Sequence, residues 1–192
     1  MQLKDITIIN PGYPFRGTIP EVLDGTVKAV QMRDVSVARG IHWPGCVSTQ
    51  LRGKRQPDWL QAGDLLFAAR GNHNYAVVVD DAVPSESAVA APHFFHLRLI
   101  TKDVYPEFLA WYLNQLPTQN YIQINAEGSL TKSIRRDVLE CTPVVLPEKS
   151  QQEEILKLAA VLRQERKLAE ALIQRGEDMM AAIAAELEQG TL

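Results

Sequence analysis

The sequence predicts an α+β protein: a mixed globular domain followed by one long C-terminal helix. Three observations carry this. Short runs of β-forming residues, punctuated by Gly and Pro, fill the chain up to about residue 149. One amphipathic segment with Pro106 at its first turn interrupts them. Beyond Pro147 there is no proline, the only glycines are Gly176 and Gly190, and apolar residues recur at heptad spacing. The change falls within "PVVLPEKS" (residues 143–150), so the expected division is 1–149 and 150–192.

In chain order, strands are expected at residues 6–9, 26–31, 64–68, 76–79 and 94–100. In the last of these Phe95, Leu97 and Leu99 alternate with His96 and Arg98, as a half-buried strand requires. A helix follows, with Phe108, Leu109, Tyr112, Leu113 and Leu116 on one stripe. A short helix is expected at residues 135–140 and a strand at 142–146. Strands and helices do not alternate regularly enough for a doubly wound sheet.

The final segment, residues 150–188, reads as a coiled-coil helix. Ile155, Leu158, Leu162, Ala169, Leu172, Gly176, Met179 and Ile183 occupy the a and d positions, with Glu165 and Glu186 as exceptions. Ala159, Ile173, Met180 and Leu187 widen the stripe. Such a helix is about 58 Å long at ~1.5 Å per residue, too long to lie along a domain of this size without overhang. The stripe is therefore evidence for self-association or a partner helix, the alternative being a lone helix folded back on its own domain, and the eight a and d residues are the expected dimerisation seam. Gly176 marks a close crossing or a kink.

Net charge is −3, which at first argues against a nucleic-acid partner. Residues 1–149 are neutral, with 15 Lys and Arg against 15 Asp and Glu, so the excess acid lies in the helix. A neutral domain can bind DNA when its basic groups share one face. Arg52, Lys54 and Arg55 form one cluster; Lys132, Arg135 and Arg136 form another. Arg33 and Arg39 are further candidates. "GDLLFAARG" (residues 63–71) is followed by Asn72, His73, Asn74 and Tyr75, more polar and aromatic side chains than a turn needs. Residues 70–75 are expected to form a loop, and with Arg70 these are residue types that bond to base edges and phosphates; the alternative is a polar surface loop whose Gly71 merely permits the turn.

Other functions find little support. There is no G-x-S-x-G elbow, phosphate loop or H-E-x-x-H. Asn10-Pro-Gly-Tyr13 does not match the Asn-Pro-Pro-aromatic tetrapeptide of amino-methyltransferases. His93 and His96 have a spacing a metal could use, but on a strand they point to opposite faces. No catalytic residue, metal site or cofactor is expected, and the chain does not read as an enzyme. Cys46 and Cys141, the only cysteines, are expected to be reduced thiols. No apolar run approaches the ~18 residues of a membrane span, and the N-terminus lacks the pattern of a signal peptide. A cytoplasmic protein is expected.

Five segments in order resemble the specificity subunit of type I restriction-modification systems. They are "LKDITIINPGYPFRG" (residues 3–17), "VKAVQMRDVS" (27–36), "GDLLFAARG", "FFHLRLI" with "VYPEFLAWYLN", and "EGSLTKSIRRDVLECTPVVLPEKSQQEEI" (127–155). Each is weak alone; together they span nearly the whole chain. The resemblance implies a target-recognition domain that reads one half of a split double-stranded DNA site. It also implies antiparallel pairing of the long helix as a spacer, and docking of a DNA methyltransferase subunit, with a restriction nuclease subunit as a further candidate partner. Family members usually carry two such domains and two such helices, so this chain looks like a half subunit whose partner is a second copy. The competing expectation is a helical adaptor or regulator of a methyltransferase complex that does not bind DNA.

Overall fold

The computed structural model describes residues 1–51, 56–71, 73–84, 87–128 and 132–188, the side chain of Lys132 excepted. In chain order it contains β1 (Thr7–Pro11), β2 (Val27–Val30), β3 (Val35–Ser36), β4 (Gly40–Ile41), β5 (Val47–Thr49), β6 (Leu65–Ala68), β7 (Arg70–Gly71), β8 (Ala76–Val78), β9 (Ala88–Ala90) and β10 (Phe94–Leu99). Then come α1 (Pro106–Leu113), α2 (Leu116–Ile124), β11 (Lys132–Ser133), α3 (Arg136–Glu140) and α4 (Lys149–Glu188). The class is α+β, with a long C-terminal helix, as the sequence predicts. The chain divides into two compact units, Met1–Gln152 and Glu153–Leu192.

The first unit is built on an antiparallel sheet of order β1-β10-β6-β8. All four residues of β6 are buried, which explains its unbroken apolar run. A second sheet, β5-β2-β9, pairs β2 antiparallel to β5 and parallel to β9. Leu66, Ala68, Val77 and Phe94 of the first sheet share one core with Val30, Ala88 and Ala90 of the second. Gly12, just past β1, allows a close approach that no other residue could make: an added Cβ would collide with Ala91 O. Gly12 N–H donates to Phe94 O and Tyr13 N–H to Ala90 O, tying the end of β1 to the connection between β9 and β10.

The long helical stripe expected after Pro106 is two helices. The chain leaves α1 at Asn114, whose Oδ1 accepts from Ala76 N–H and whose Nδ2 donates to Ala76 O, both at 2.8 Å. One side chain thus stands in for a neighbouring strand at the outer edge of β8. Pro117, in the first turn of α2, cannot continue a helix from before it but suits a new start. Leu116 is consequently 72% exposed rather than part of the core stripe.

The strand expected at residues 142–146 does not form. A single bridge joins Gln2 to Pro143, flanked by bonds from Leu3 N–H to Thr142 O and from Val144 N–H to Met1 O. Pro143 has no N–H to extend a ladder. In the first turn of α4, buried Gln152 accepts from Tyr105 N–H and donates to the carbonyls of Asp103 and Pro147, anchoring the helix start within the first unit. Among the described residues no helix is long and apolar enough to cross a membrane.

Candidate nucleic-acid interface

"GDLLFAARG" changes partners partway along. Its first half, β6, pairs with β10 and β8; Ala69 then donates to His93 O and accepts from Ile134 N–H; its second half, β7, pairs with β11. Arg70 and Gly71 are therefore strand, not loop as expected from the sequence. The strand ends where it does because Gly71 has φ +129°, a conformation other residues avoid, and turns beside the Met32 methyl group. This pairing joins Arg70 to the distant Lys132–Arg136 segment. The register sets Ser133 opposite Arg70 and Lys132 opposite Gly71. A further bridge sets Glu127 opposite Ser133.

The ribbon has an inside and an outside. Ala69 and Ile134 are buried; Arg70, Glu127 and Arg135 are exposed, and Ser133 is half-buried. Arg135 Nε lies 3.3 Å from Glu127 and 3.4 Å from Asp137, and Arg136 Nε lies 2.7 Å from Glu140. Exposed pairs like these contribute roughly 0–1 kcal/mol, so their arginines can exchange a carboxylate for a phosphate at little cost. Arg70 has no charged or hydrogen-bonding partner among the described residues.

The remaining candidates divide by burial. His73 is exposed beside the ribbon. Asn74 is buried and donates to Ala68 O at 2.8 Å, and Ala68 N–H in turn donates to Tyr75 O. Tyr75 packs against the core and its hydroxyl donates to Val35 O at 3.3 Å; burial raises its pKa. Asn74 and Tyr75 thus hold the loop in place through bonds of their own. Arg33 is exposed near Asp34 at 3.8 Å, and Arg39 is exposed in the turn between β3 and β4. Arg52, Lys54, Arg55 and Asn72 lie outside the described residues, as does the Lys132 side chain. Glu127 and Ser133 escaped the sequence reading because their place depends on the bridge across residues 128–132. The one local signal was the glycine of Glu127-Gly128-Ser129, and Gly128 indeed has φ +101°.

A second polar group sits at the other end of the same run. Asp64 is buried at the start of β6 and accepts from Gln61 N–H, His96 Nε2–H, Arg98 Nε–H and Arg98 Nη2–H at 2.7–2.9 Å. Burial alone would raise its pKa, but the bonds from His96 and Arg98 outweigh that and hold the carboxyl below its usual range. His93, by contrast, is exposed ahead of β10. Among the described residues no group of three His, Cys, Asp or Glu is placed to hold a metal. Cys46 and Cys141 are free thiols; burial, aided by Asp34 and opposed by Lys28, pushes the Cys46 thiol up to about 12, so it acts as a packing residue.

Along α4 the seam residues are largely exposed in the single chain: Leu158 is 62%, Leu162 56%, Leu172 67%, Met179 60% and Ile183 38% exposed. Ala169 is also exposed, Ile155 and Gly176 are half-exposed, and a Cβ on Gly176 would meet open space.

Compared by sequence, the chain matches no family model and no curated protein. Compared by structure, it is similar to the type I restriction-modification S subunit from M. genitalium, with TM-score 0.55 and 14% identity over 97% of this chain. It is also similar to the HsdS subunit from Thermoanaerobacter tengcongensis, with TM-score 0.60 and 16% identity over 98% of this chain. The match covers 44% of the first of those chains and 48% of the second, so this chain spans about half their length. From the first strand into the long helix, the fold is that of a type I restriction-modification S subunit, over about half of such a subunit's length.

Proposed function

We propose that this chain is a DNA-sequence recognition subunit of a type I-like restriction-modification system, without catalysis of its own. The observation that carries this is a fold likeness over 97–98% of the chain, with the β7–β11 ribbon presenting exposed arginines. Arg70, His73, Arg135 and Arg136 form the candidate DNA face on and beside the ribbon. Arg33, Arg39, Arg52, Lys54, Arg55, Asn72 and Lys132 are candidates to extend it to the phosphates. Phosphate contacts make binding fall steeply with salt.

The working form is a homodimer through α4. Its 40 residues make a helix about 60 Å long with an exposed apolar stripe. A two-fold axis crossing near Ala169 and Gly176, where side chains are small, lets the helices approach closely. Such a dimer presents the same reading surface twice and selects an interrupted palindrome, its half-sites at least one turn, about 34–36 Å, apart. A DNA methyltransferase subunit docks on that assembly, and a restriction nuclease subunit is a further candidate partner.

Two measurements test this. In sedimentation the chain runs as a dimer, and the double change Leu162→Asp, Leu172→Asp makes it a monomer by placing charge in the seam. Selection from random duplex DNA returns an interrupted palindrome. A wild-type monomer at high micromolar concentration overturns the dimer. A motif that is continuous or asymmetric overturns symmetric reading, and no selected motif at all favours the adaptor that does not bind DNA.

A further inference from the structure

The carboxylate of Glu127 is out of place on a surface meant only for phosphates. It is 61% exposed and stands in one row with Arg70 and Ser133, since directly opposed residues on antiparallel strands project to the same face. The opposite face is closed by buried Ala69 and Ile134. Ser133 exchanges both backbone bonds with Glu127, at 2.8 and 3.0 Å, whereas opposite Arg70 the bond runs from Ile134 N–H to Ala69 O instead. The first spacing is that of a hydrogen-bonded pair, about 5.5 Å between Cα atoms, and the second that of a non-bonded pair, about 4.5 Å. The row thus spans about 10 Å, close to three base-pair steps of about 3.4 Å each.

We propose that Arg70, Ser133 and Glu127 are the specificity-determining row of this chain, laid along base edges in the major groove of double-stranded DNA. The proposal rests on the DNA-recognition reading above. Each side chain matches a base edge. Arg70 offers a two-pronged donor, which suits O6 and N7 of guanine. Glu127 only accepts, which suits the N4 amino group of cytosine. Ser133 between them can donate or accept. A two-stranded ribbon fits the width of the major groove. In the free chain Arg135, 3.3 Å away, neutralises Glu127. On DNA that arginine is free to turn to a phosphate only where a cytosine amino group takes its place at Glu127. Elsewhere the carboxylate meets an acceptor or the backbone charge and is repelled. Glu127 therefore strengthens discrimination by penalising wrong sequences.

The test is selection from random duplex DNA with the full chain, comparing wild type, E127Q and R70K, with thermal unfolding to establish that each is folded. At these exposed positions both changes leave the melting temperature close to wild type. In E127Q, preference for cytosine at one position falls roughly ten-fold or more and shifts toward adenine, which a carboxamide pairs with. Affinity for unselected DNA rises a few-fold with the loss of the negative charge. In R70K, a guanine preference weakens at a position roughly two to three base pairs away. If wild type selects a motif and both variants return it with unchanged base preferences, the row is wrong while DNA recognition stands. A uniform gain in E127Q affinity, with no change at any base, also overturns the row and leaves Glu127 as a repelling charge only. If wild type selects no motif, DNA recognition fails and the row fails with it.

Discussion

Asp64 and Arg70 bracket one strand run, and the fold uses them in opposite ways. Asp64 is buried, and four N–H groups converge on its carboxylate. Arg70 is exposed and free of partners among the described residues. The register explains both. Leu65 lies opposite Leu97, so Asp64 falls opposite Arg98, with His96 two residues along on the same face. At the other end the run has left that sheet for β11, and Arg70 projects from its outer face. Two charged residues in one apolar motif therefore differ in role because their strand partners differ. One charge organises the fold; the other is available to a ligand.

The largest expected effect comes from breaking the buried end. Asp64→Asn keeps the volume but removes the charge that Arg98 and His96 share. Removing one member of a buried pair costs about 3–5 kcal/mol. The Arg98 side chain is 40% exposed and can rehydrate, so a loss near ~3 kcal/mol is expected in urea unfolding at neutral pH. The pH dependence sharpens this. The folded carboxyl titrates below its unfolded value of about 3.9, so its contribution is complete above that pH. It is lost as pH falls through the lower, folded value. Wild-type stability should decline from about pH 4 downward, and Asp64→Asn should lack that part of the decline. Equal acid slopes in the two proteins would mean that the Asp64 carboxylate does not organise the buried end.

A smaller loss is expected where neutral polar groups serve the fold. Asn114→Ala leaves both Ala76 backbone groups at the β8 edge without their partners, and should cost about 1–3 kcal/mol by unfolding. Asn74→Ala, which frees Ala68 O, should cost a similar amount. If either proves neutral in stability yet weakens DNA binding, that residue belongs with Arg70 rather than with Asp64.

The smallest change in stability belongs to Arg70 itself. Arg70→Ala should shift unfolding by no more than about 0.5 kcal/mol, as at other exposed positions. Its effect should appear on DNA as a weaker preference at one base position. The salt slope of binding should stay near wild type, because a base reader neutralises no phosphate. Replacing Arg136 should do the reverse, weakening all sequences alike and lowering that slope by about one. A stability loss for Arg70→Ala comparable to that for Asp64→Asn would erase the distinction between the two ends.

Much of this architecture was legible from local pattern. The strands at β1, β2, β6, β8 and β10 follow from alternating or continuous apolar runs, and α1 from its proline and stripe, but in β10 the expected inward face did not hold, because His96 is buried against Asp64 while Phe95 and Leu99 are half-buried. The short strands β3, β4, β5, β7 and β9 were not. "AVA" in β9 has weak strand propensity and is held by parallel pairing with β2. The break at Asn114 was hidden because the side chain ends the helix by bonding to a strand 38 residues earlier in the chain. The candidate site was legible only as residue types. Arg70, Arg135 and Arg136 stand out in sequence as basic groups, while Glu127 and Ser133 do not.

By itself the sequence determined the α+β class, the long C-terminal helix and its apolar stripe. These rest on periodicity and on Pro and Gly placement, which act within a few turns of chain. Only the tertiary structure decided which polar residues are committed to the core and which face solvent. It turned Arg70 from loop to strand, enclosed Asn74 and Tyr75, and set Glu127 in line with Arg70 across Ser133. The physical reason is that strand pairing is non-local. A single register, joining segments some sixty residues apart in this chain, fixes the face of every side chain it touches, and no window of sequence contains it.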